Sequence, residues 1–332
     1  MESLGGLALE WFSEPTLMAL AGLFGGVLLG LAARLGRFCT LGAIEDLYYG
    51  DSSVRFAMWG IALGVAVMGT FGLVAIGALD LPDTLYLSLA WNPVASIVGG
   101  LMFGYGMALA GNCGYGALAR MGCGDLRSFM IVTVMGIAAY VALGGPLSAL
   151  RLTLFPVREA GADPAGIVHL LAAYLPFGLP VIGVTLGALI LVFTLFHRGL
   201  RQSPASIIWG AVVGIAIVSG WLFTQWISAN GFGPRSVLSH TFTAPVGETL
   251  LYAMTSSGNS ISFGTGSVLG VAIGAFAGCI WRGHLRWEAC EDPRELGRQL
   301  GGAVLMGFGA VICIGCCFGQ GMCGLSVLAV SA

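Results

Sequence analysis

The sequence predicts an all-α polytopic membrane protein of two pseudo-symmetric repeats, the second inverted, with re-entrant half-helices. Of its 332 residues 57% are hydrophobic and only 9% charged, with a mean hydropathy of +0.91, whereas a soluble domain carries about 25% charged residues. Residues 84–119 and 299–332 contain no Asp, Glu, Lys or Arg, and about 20 apolar residues suffice to cross a bilayer. Glycine patterns that recur between the two halves supply the third observation.

Taken in order, the chain opens on "MESLGGLALEWFSEP", with carboxylates where a signal peptide carries basic residues, so no cleaved targeting segment is expected. Apolar runs at 16–33 and 56–79 give the first two spans, separated by "RLGRFCTLGAIED" (34–46). The run at 84–119 exceeds one crossing, so it is expected to cross and fold partly back at the glycine-rich "LAGNCGYG" (109–116). Spans at 128–149, 178–197, 204–223 and 263–281 follow, and 299–332 turns back in its turn at "IGCCFGQG" (314–321). Eight or nine crossings are expected, in one membrane domain over 1–332: a first repeat at 16–150, a linker at 151–202 with one extra span, and a second repeat at 203–332.

The repeat rests on two registers. Gly26, Gly30 and Gly36 of "GVLLGLAARLG" match Gly210, Gly214 and Gly220 of "GAVVGIAIVSG" at an offset of 184. At an offset of 203, Gly99, Gly104, Gly106, Cys113 and Gly116 meet Gly302, Gly307, Gly309, Cys316 and Gly319. Under the first offset Cys39 meets Phe223, so the repeat positions hold Cys39, Cys113, Cys316 and Phe223. An extra span between halves of four crossings inverts the second half, and inverted repeats meeting at the midplane mark transporters.

Several function classes are excluded by composition. Net charge is −2 with no basic run, which leaves no electrostatic footprint for nucleic acid. All 14 basic residues are arginine, so neither a Schiff-base lysine nor a P-loop is present. The nine cysteines lie mostly in or beside apolar segments, unlike a secreted disulfide framework. Cys123 and Cys279 read as packing residues, and Cys290, in the arginine-rich loop 282–298, reads as a surface thiol on a cytoplasmic segment. "CIGCCFGQGMC" (313–323) lacks a histidine and its glycines break ligand spacing, so no metal is expected, and no cofactor either.

What remains is chemistry for a small anion. Short stretches after each glycine step, "YGALARMG" and "FGQGMCGLSVLAV", cannot cross and read as half-helices lining a pathway. Their N-termini offer unpaired N–H groups and a positive dipole end, where Cys113 and Cys316 stand. Sulfur is a soft, polarizable contact suited to a sulfur-bearing anion, and a neutral thiol donates a hydrogen without repelling it. Asn112, Cys317 and Gln320 are further pathway candidates beside these cysteines, and Arg37 can attract anions to a vestibule while Asp46 flanks the same cysteine.

The segments "GRFCTLGAIEDLY" (36–48), "AGNCGYG" (110–116) and "MGFGAVICIGCCFGQG" (306–321) make the chain resemble the YeeE/YedE family of bacterial inner-membrane proteins, characterised as thiosulfate importers. The resemblance implies an hourglass of helices with half-helices meeting at a central constriction. It implies that Cys39, Cys113 and Cys316 relay thiosulfate, or a similar small anion, by transient thiol-to-sulfur hydrogen bonds. It also implies a small cytosolic sulfur-carrier partner and a further apolar span after Ala332. Asn112, in place of a small residue, and Cys317, in place of a small hydroxyl residue, depart from the family pattern. Two alternatives stay open: a membrane thiol-disulfide oxidoreductase, for which Cys313 and Cys316 give a Cys-x-x-Cys spacing, and a transporter of another sulfur or selenium oxyanion.

Overall fold

A computed structural model describes residues 13–332 apart from 51, 160–165, 173, 175, 232–235, 284, 286 and 289–291. Cys290 therefore lies outside the described residues. The first half runs α1 (Glu14–Leu35), α2 (Thr40–Tyr48), α3 (Val54–Ala75), single turns at Leu81–Asp83 and Leu85–Ser88, α4 (Pro93–Ala110), α5 (Gly114–Met121) and α6 (Leu126–Leu143). Short helices α7 (Ser148–Leu154) and α8 (Ile167–Ala172) lead to α9 (Leu179–Leu195) and a turn at Arg198–Arg201. Then come α10 (Pro204–Asn230), α11 (Thr243–Thr255), α12 (Phe263–Arg282), α13 (Pro293–Ile312) and a π-helical turn over Gly319–Gly324. Among the described residues the only β pairing is in isolated bridges.

Local sequence sets the helix starts. Proline opens α1, α4, α10 and α13, where its missing N–H costs nothing. Side-chain caps add to this at α4, α6 and α12: Asn92 accepts from Ala95 N at 3.2 Å, Asp125 from Arg127 N at 3.0 Å and Ser262 from Thr265 N at 3.1 Å.

Among the described residues six segments are long and apolar enough to cross a membrane, fewer than the eight or nine crossings expected from sequence. Two of the expected spans account for the shortfall. The helix α9 has 17 residues, and α13 opens with Arg294, Glu295 and Arg298 in its first turns, so neither combines a full crossing length with an uncharged run. This is a multi-pass membrane protein.

Glycine decides how closely these helices approach. Gly22, Gly26 and Gly30 of α1 face Gly266, Gly270 and Gly274 of α12 at four-residue spacing: a β-carbon on Gly30 would stand 2.7 Å from Ala275 N, and one on Gly270 2.9 Å from the Gly26 Cα. A second crossing joins α4 and α13. There a β-carbon on Gly106 would stand 2.6 Å from the Gly302 carbonyl oxygen, and one on Gly302 the same 2.6 Å from the Gly106 carbonyl oxygen. Gly99 and Gly309 are reciprocal in the same way, at 2.8 and 2.7 Å from each other's carbonyl oxygens.

Three short elements start inside the bundle, each after a backbone reversal of one kind. Arg37 (φ 56°), Gly111 (φ 66°) and Ile314 (φ 59°) are left-handed, and each stands two residues before a cysteine: Cys39, Cys113 and Cys316. Cys39 and Cys113 then N-cap α2 and α5, and Cys316 leads into the π turn. Two of the three reversals use residues with a β-carbon, which pay about 1 kcal/mol or more for that conformation. Nothing lies within 4 Å of a β-carbon built on Gly111. Gly111→Ala is therefore expected to cost only that conformational term, about 1 kcal/mol, read as a small fall in thermal midpoint in detergent.

Candidate functional site

The N-terminal ends of α2, α5 and α11 and the turn at Gly319–Gly324 converge on one buried cluster. Four aromatic rings fill it: Phe38, Tyr115, Phe242 and Phe318, with ring centroids 5.0 Å apart for Tyr115 and Phe318 and 5.3 Å for both Tyr115–Phe242 and Phe242–Phe318. Phe38 closes the group edge-on at 6.4 Å from both Tyr115 and Phe318. Each ring is at most 3% exposed, and the Tyr115 hydroxyl donates to the Leu29 carbonyl at 2.6 Å, which fixes its tilt. Phe38 also lines one of two cavities beside this cluster, and Cys316, two residues before Phe318, lines the other.

On one side lies an open vestibule of ≈ 350 Å³ lined by Arg34, Arg37, Arg55, Arg120 and Arg282, with Phe38, Cys39 and Asn112 among the residues around it. Asp46 pairs with Arg55 at 3.1 Å. With its amide oriented to satisfy both ends, Asn112 accepts from Arg120 Nη1 at 3.1 Å and donates to the Gly111 carbonyl at 3.3 Å. On the other side a mostly apolar cavity of ≈ 370 Å³ is lined by Cys316, Tyr86, Thr241 and Thr243, with Arg151 its one charged lining residue.

The cysteines lie between these cavities. Cys39 lines the vestibule; Cys113, fully buried, sits behind it with the thiols of Cys39 and Cys317 as electrostatic neighbours. A β-carbon built on Gly116 would stand 3.5 Å, an ordinary van der Waals contact, from the sulfurs of both Cys39 and Cys113, so the two sulfurs flank this glycine. The Cys113 sulfur accepts from Gly116 N at 3.3 Å, and the Cys316 sulfur repeats that bond with Gly319 N at 3.4 Å. Cys316 faces the second cavity, 3.7 Å from Thr241 Oγ1. Sulfur atoms at helix starts, ringed by apolar rings, offer soft contacts where an anion has left its water.

The structure thus brings together Cys39, Cys113, Cys317 and Asn112, and places Cys316, the chain neighbour of Cys317, at the second cavity. Gln320 lies just outside, its Nε2 donating to the Cys313 carbonyl at 2.7 Å and pinning the π turn to the end of α13. Phe223 is not at the site. It lies midway along α10, 37% exposed, with its ring edge-on to Phe24 at 6.2 Å. The residue that caps α11 as Cys39 caps α2 is Phe242, at the offset of 203 that also joins Cys113 to Cys316. The offset of 184 fits only the long helices, because more residues separate α10 from α11 than α1 from α2.

Cys123 and Cys279 are not mere packing residues. They form a disulfide with a Cα–Cα distance of 5.9 Å, tying the end of α5 to α12, and Arg34 Nε donates to the Cys279 sulfur at 2.9 Å. Glu248 accepts from the Ser262 hydroxyl at 2.9 Å, at the N-terminal cap of α12 and away from the constriction. Two parts of the site escaped sequence reasoning. The aromatic cluster had a signal, a ring within two residues of each cysteine in "RFC", "CGY" and "CCF". Of the arginine vestibule only Arg37 was legible, because the other residues sit singly at helix ends where the ordinary reading is snorkelling.

A profile described as sulphur transport matches residues 35–332. The thiosulfate transporter TsuA of Escherichia coli (strain K12) is 28% identical over 317 residues, covering 92% of this chain and 87% of that protein. The thiosulfate transporter TsuA of Spirochaeta thermophila is 24% identical over 333 residues, covering 95% and 94%. A shorter match of 117 residues at 30% identity joins 35% of this chain to 27% of the probable transporter YedE of Escherichia coli (strain K12).

Proposed function

This chain belongs to the sulphur transport family, and from that membership we propose that it imports thiosulfate, or a closely similar sulfur-bearing anion, across the bacterial inner membrane through a cysteine relay. The reading is supported by Cys39 at the arginine vestibule and Cys113 behind it, which N-cap two short helices, and by Cys316 at the second cavity with Gly319 N on its sulfur. Relatives named as thiosulfate transporters along nearly the whole length support the substrate.

Each thiol plays the same part. Helix-start amides and the arginine field offset the anion's charge, while a neutral thiol donates its hydrogen to the terminal sulfur and is replaced by the next thiol as the anion advances. Aromatic rings exclude water at the narrowest point, so an anion without a soft end has no substitute for its hydration there. Two half-chains related at the offset of 203 fit this picture, supported by the reciprocal glycine contacts of α4 with α13.

Orientation follows from charge. Arg34, Arg37, Arg55, Arg120 and Arg282 gather at the vestibule face, which by the positive-inside rule is cytoplasmic. Thiosulfate then enters at Cys316 and leaves past Cys39, and a small cytosolic sulfur-carrier protein would meet it at that face. Vesicles carrying the purified protein are expected to take up labelled thiosulfate and to leave sulfate outside. Reporters inserted at Gly283 and after Thr255 are expected on the cytoplasmic and opposite faces respectively. Equal passage of the two anions would overturn the substrate reading, and reversed reporters the orientation.

A further inference from the structure

We propose that the arginine vestibule is itself a binding site for tetrahedral dianions, sulfate as well as thiosulfate, and that it reads charge and oxygen geometry while the cysteines behind it read sulfur. Five guanidinium-bearing side chains line one concave space, and among the described residues no carboxylate lines it. Asp46 engages only Arg55, from outside the lining. This leaves a positive field in a recess, where low-dielectric walls strengthen it.

The side chains are also held in place, as a built site requires. Arg34 Nε is bonded to the Cys279 sulfur at 2.9 Å, Arg282 Nη2 to the Leu35 carbonyl at 2.6 Å, and Arg120 Nη1 to the Asn112 amide oxygen at 3.1 Å. Each such bond uses one of the five N–H groups of a guanidinium and leaves the rest of a planar fork for oxyanions. The volume of ≈ 350 Å³ holds a small dianion with several waters, each of which takes about 30 Å³. Asn112, whose place in the sequence marks a departure from the family pattern, acquires a role here: it holds the Arg120 fork at the mouth of the cysteine path.

Sulfate and thiosulfate share charge, tetrahedral shape and three oxygens. Arginine forks that grip the oxygens cannot tell them apart, whereas the thiols meet the one atom that differs. Selectivity is therefore divided between two places, and sulfate on the arginine face is a competitive blocker that does not pass. The flux consequence rests on the transport reading above; the binding consequence does not.

The test uses labelled sulfate and the purified full chain. Equilibrium dialysis is expected to show one sulfate bound and displaced by thiosulfate at similar concentration. Binding is expected to weaken roughly tenfold or more in the double variant Arg37→Gln/Arg120→Gln, which removes two charge-assisted contacts, and to be unchanged in Arg127→Gln, whose guanidinium pairs with Glu295 at 3.4 Å outside the vestibule. Size-exclusion profiles check that both variants fold. In vesicles, sulfate on the arginine face is expected to slow thiosulfate passage, and sulfate on the other face to leave it unchanged. Undiminished sulfate binding in the folded double variant, or no sulfate binding in the wild type, overturns the proposal. If the wild type binds sulfate but carries no thiosulfate, the transport reading fails and the binding site stands.

Discussion

Replacing Cys113 with alanine is expected to cut thiosulfate flux roughly 10- to 100-fold while the protein still folds. Cys113 is fully buried behind the vestibule, with the thiols of Cys39 and Cys317 as its neighbours, where the relay reading puts the anion. An anion reaching it has shed water and holds on through hydrogen bonds to its charged sulfur, each worth about 1.5–3 kcal/mol. Alanine removes that donor and leaves a gap between the neighbouring thiols of Cys39 and Cys317: the Tyr115 hydroxyl is committed to Leu29, and the surrounding rings offer no hydrogen. A factor of ten corresponds to about 1.4 kcal/mol, which sets the range. Serine keeps a donor but a harder one, so Cys113→Ser is expected between the two. The measurement is initial uptake into vesicles at matched protein density.

Gly302→Val is expected to have the largest structural effect. A β-carbon there would stand 2.6 Å from the Gly106 carbonyl oxygen and 2.7 Å from Ala110 N, both backbone atoms of α4 that cannot rotate away. The branched side chain drives α13 off α4, and overpacking of this kind costs about 1–3 kcal/mol even where side chains can shift. Both helices end at reversals that set cysteines, Gly111 before Cys113 and Ile314 before Cys316, so the displacement is carried straight to the constriction. Thermal unfolding in detergent is expected to show a midpoint several degrees lower, with flux lost alongside it. Gly104→Val, where nothing lies within 4 Å of a β-carbon, is expected to leave the midpoint nearly unchanged.

Much of this was legible in the residues. Long uncharged runs marked the helices because lipid leaves the backbone no other partner, and glycine before a cysteine marked each break. Cys39, Cys113 and Cys316 stood out on the same grounds; the structure places Cys39 at the vestibule, Cys113 buried beside it and Cys316 at the second cavity. The misses share a physical cause: they depend on how distant segments close on one another. Phe242 was hidden because the register of 184 set by glycines in the long helices does not survive the extra residues between α10 and α11. The pairing of Cys123 with Cys279 spans 156 residues and appears only once α5 meets α12. Cys316 and Cys317 are adjacent in the chain, and nothing in "GCCFG" says which faces Cys113. The left-handed Ile314 and the π turn send Cys317 to Cys113 and Cys316 to the second cavity.

The central claim is that thiols along the path, rather than a redox pair, carry the anion. It is tested most directly by thiosulfate uptake into vesicles with single alanine variants at Cys39, Cys113, Cys316 and Cys313, each first shown to be folded. Cys313 lines neither the vestibule nor the second cavity, and its thiol donates to the Gly315 carbonyl at 3.0 Å. The relay predicts that the first three variants lose most of their flux and that Cys313→Ala keeps it. Normal flux through Cys39→Ala, Cys113→Ala and Cys316→Ala would contradict it, and a loss confined to Cys313→Ala and Cys316→Ala would point instead to thiol-disulfide chemistry.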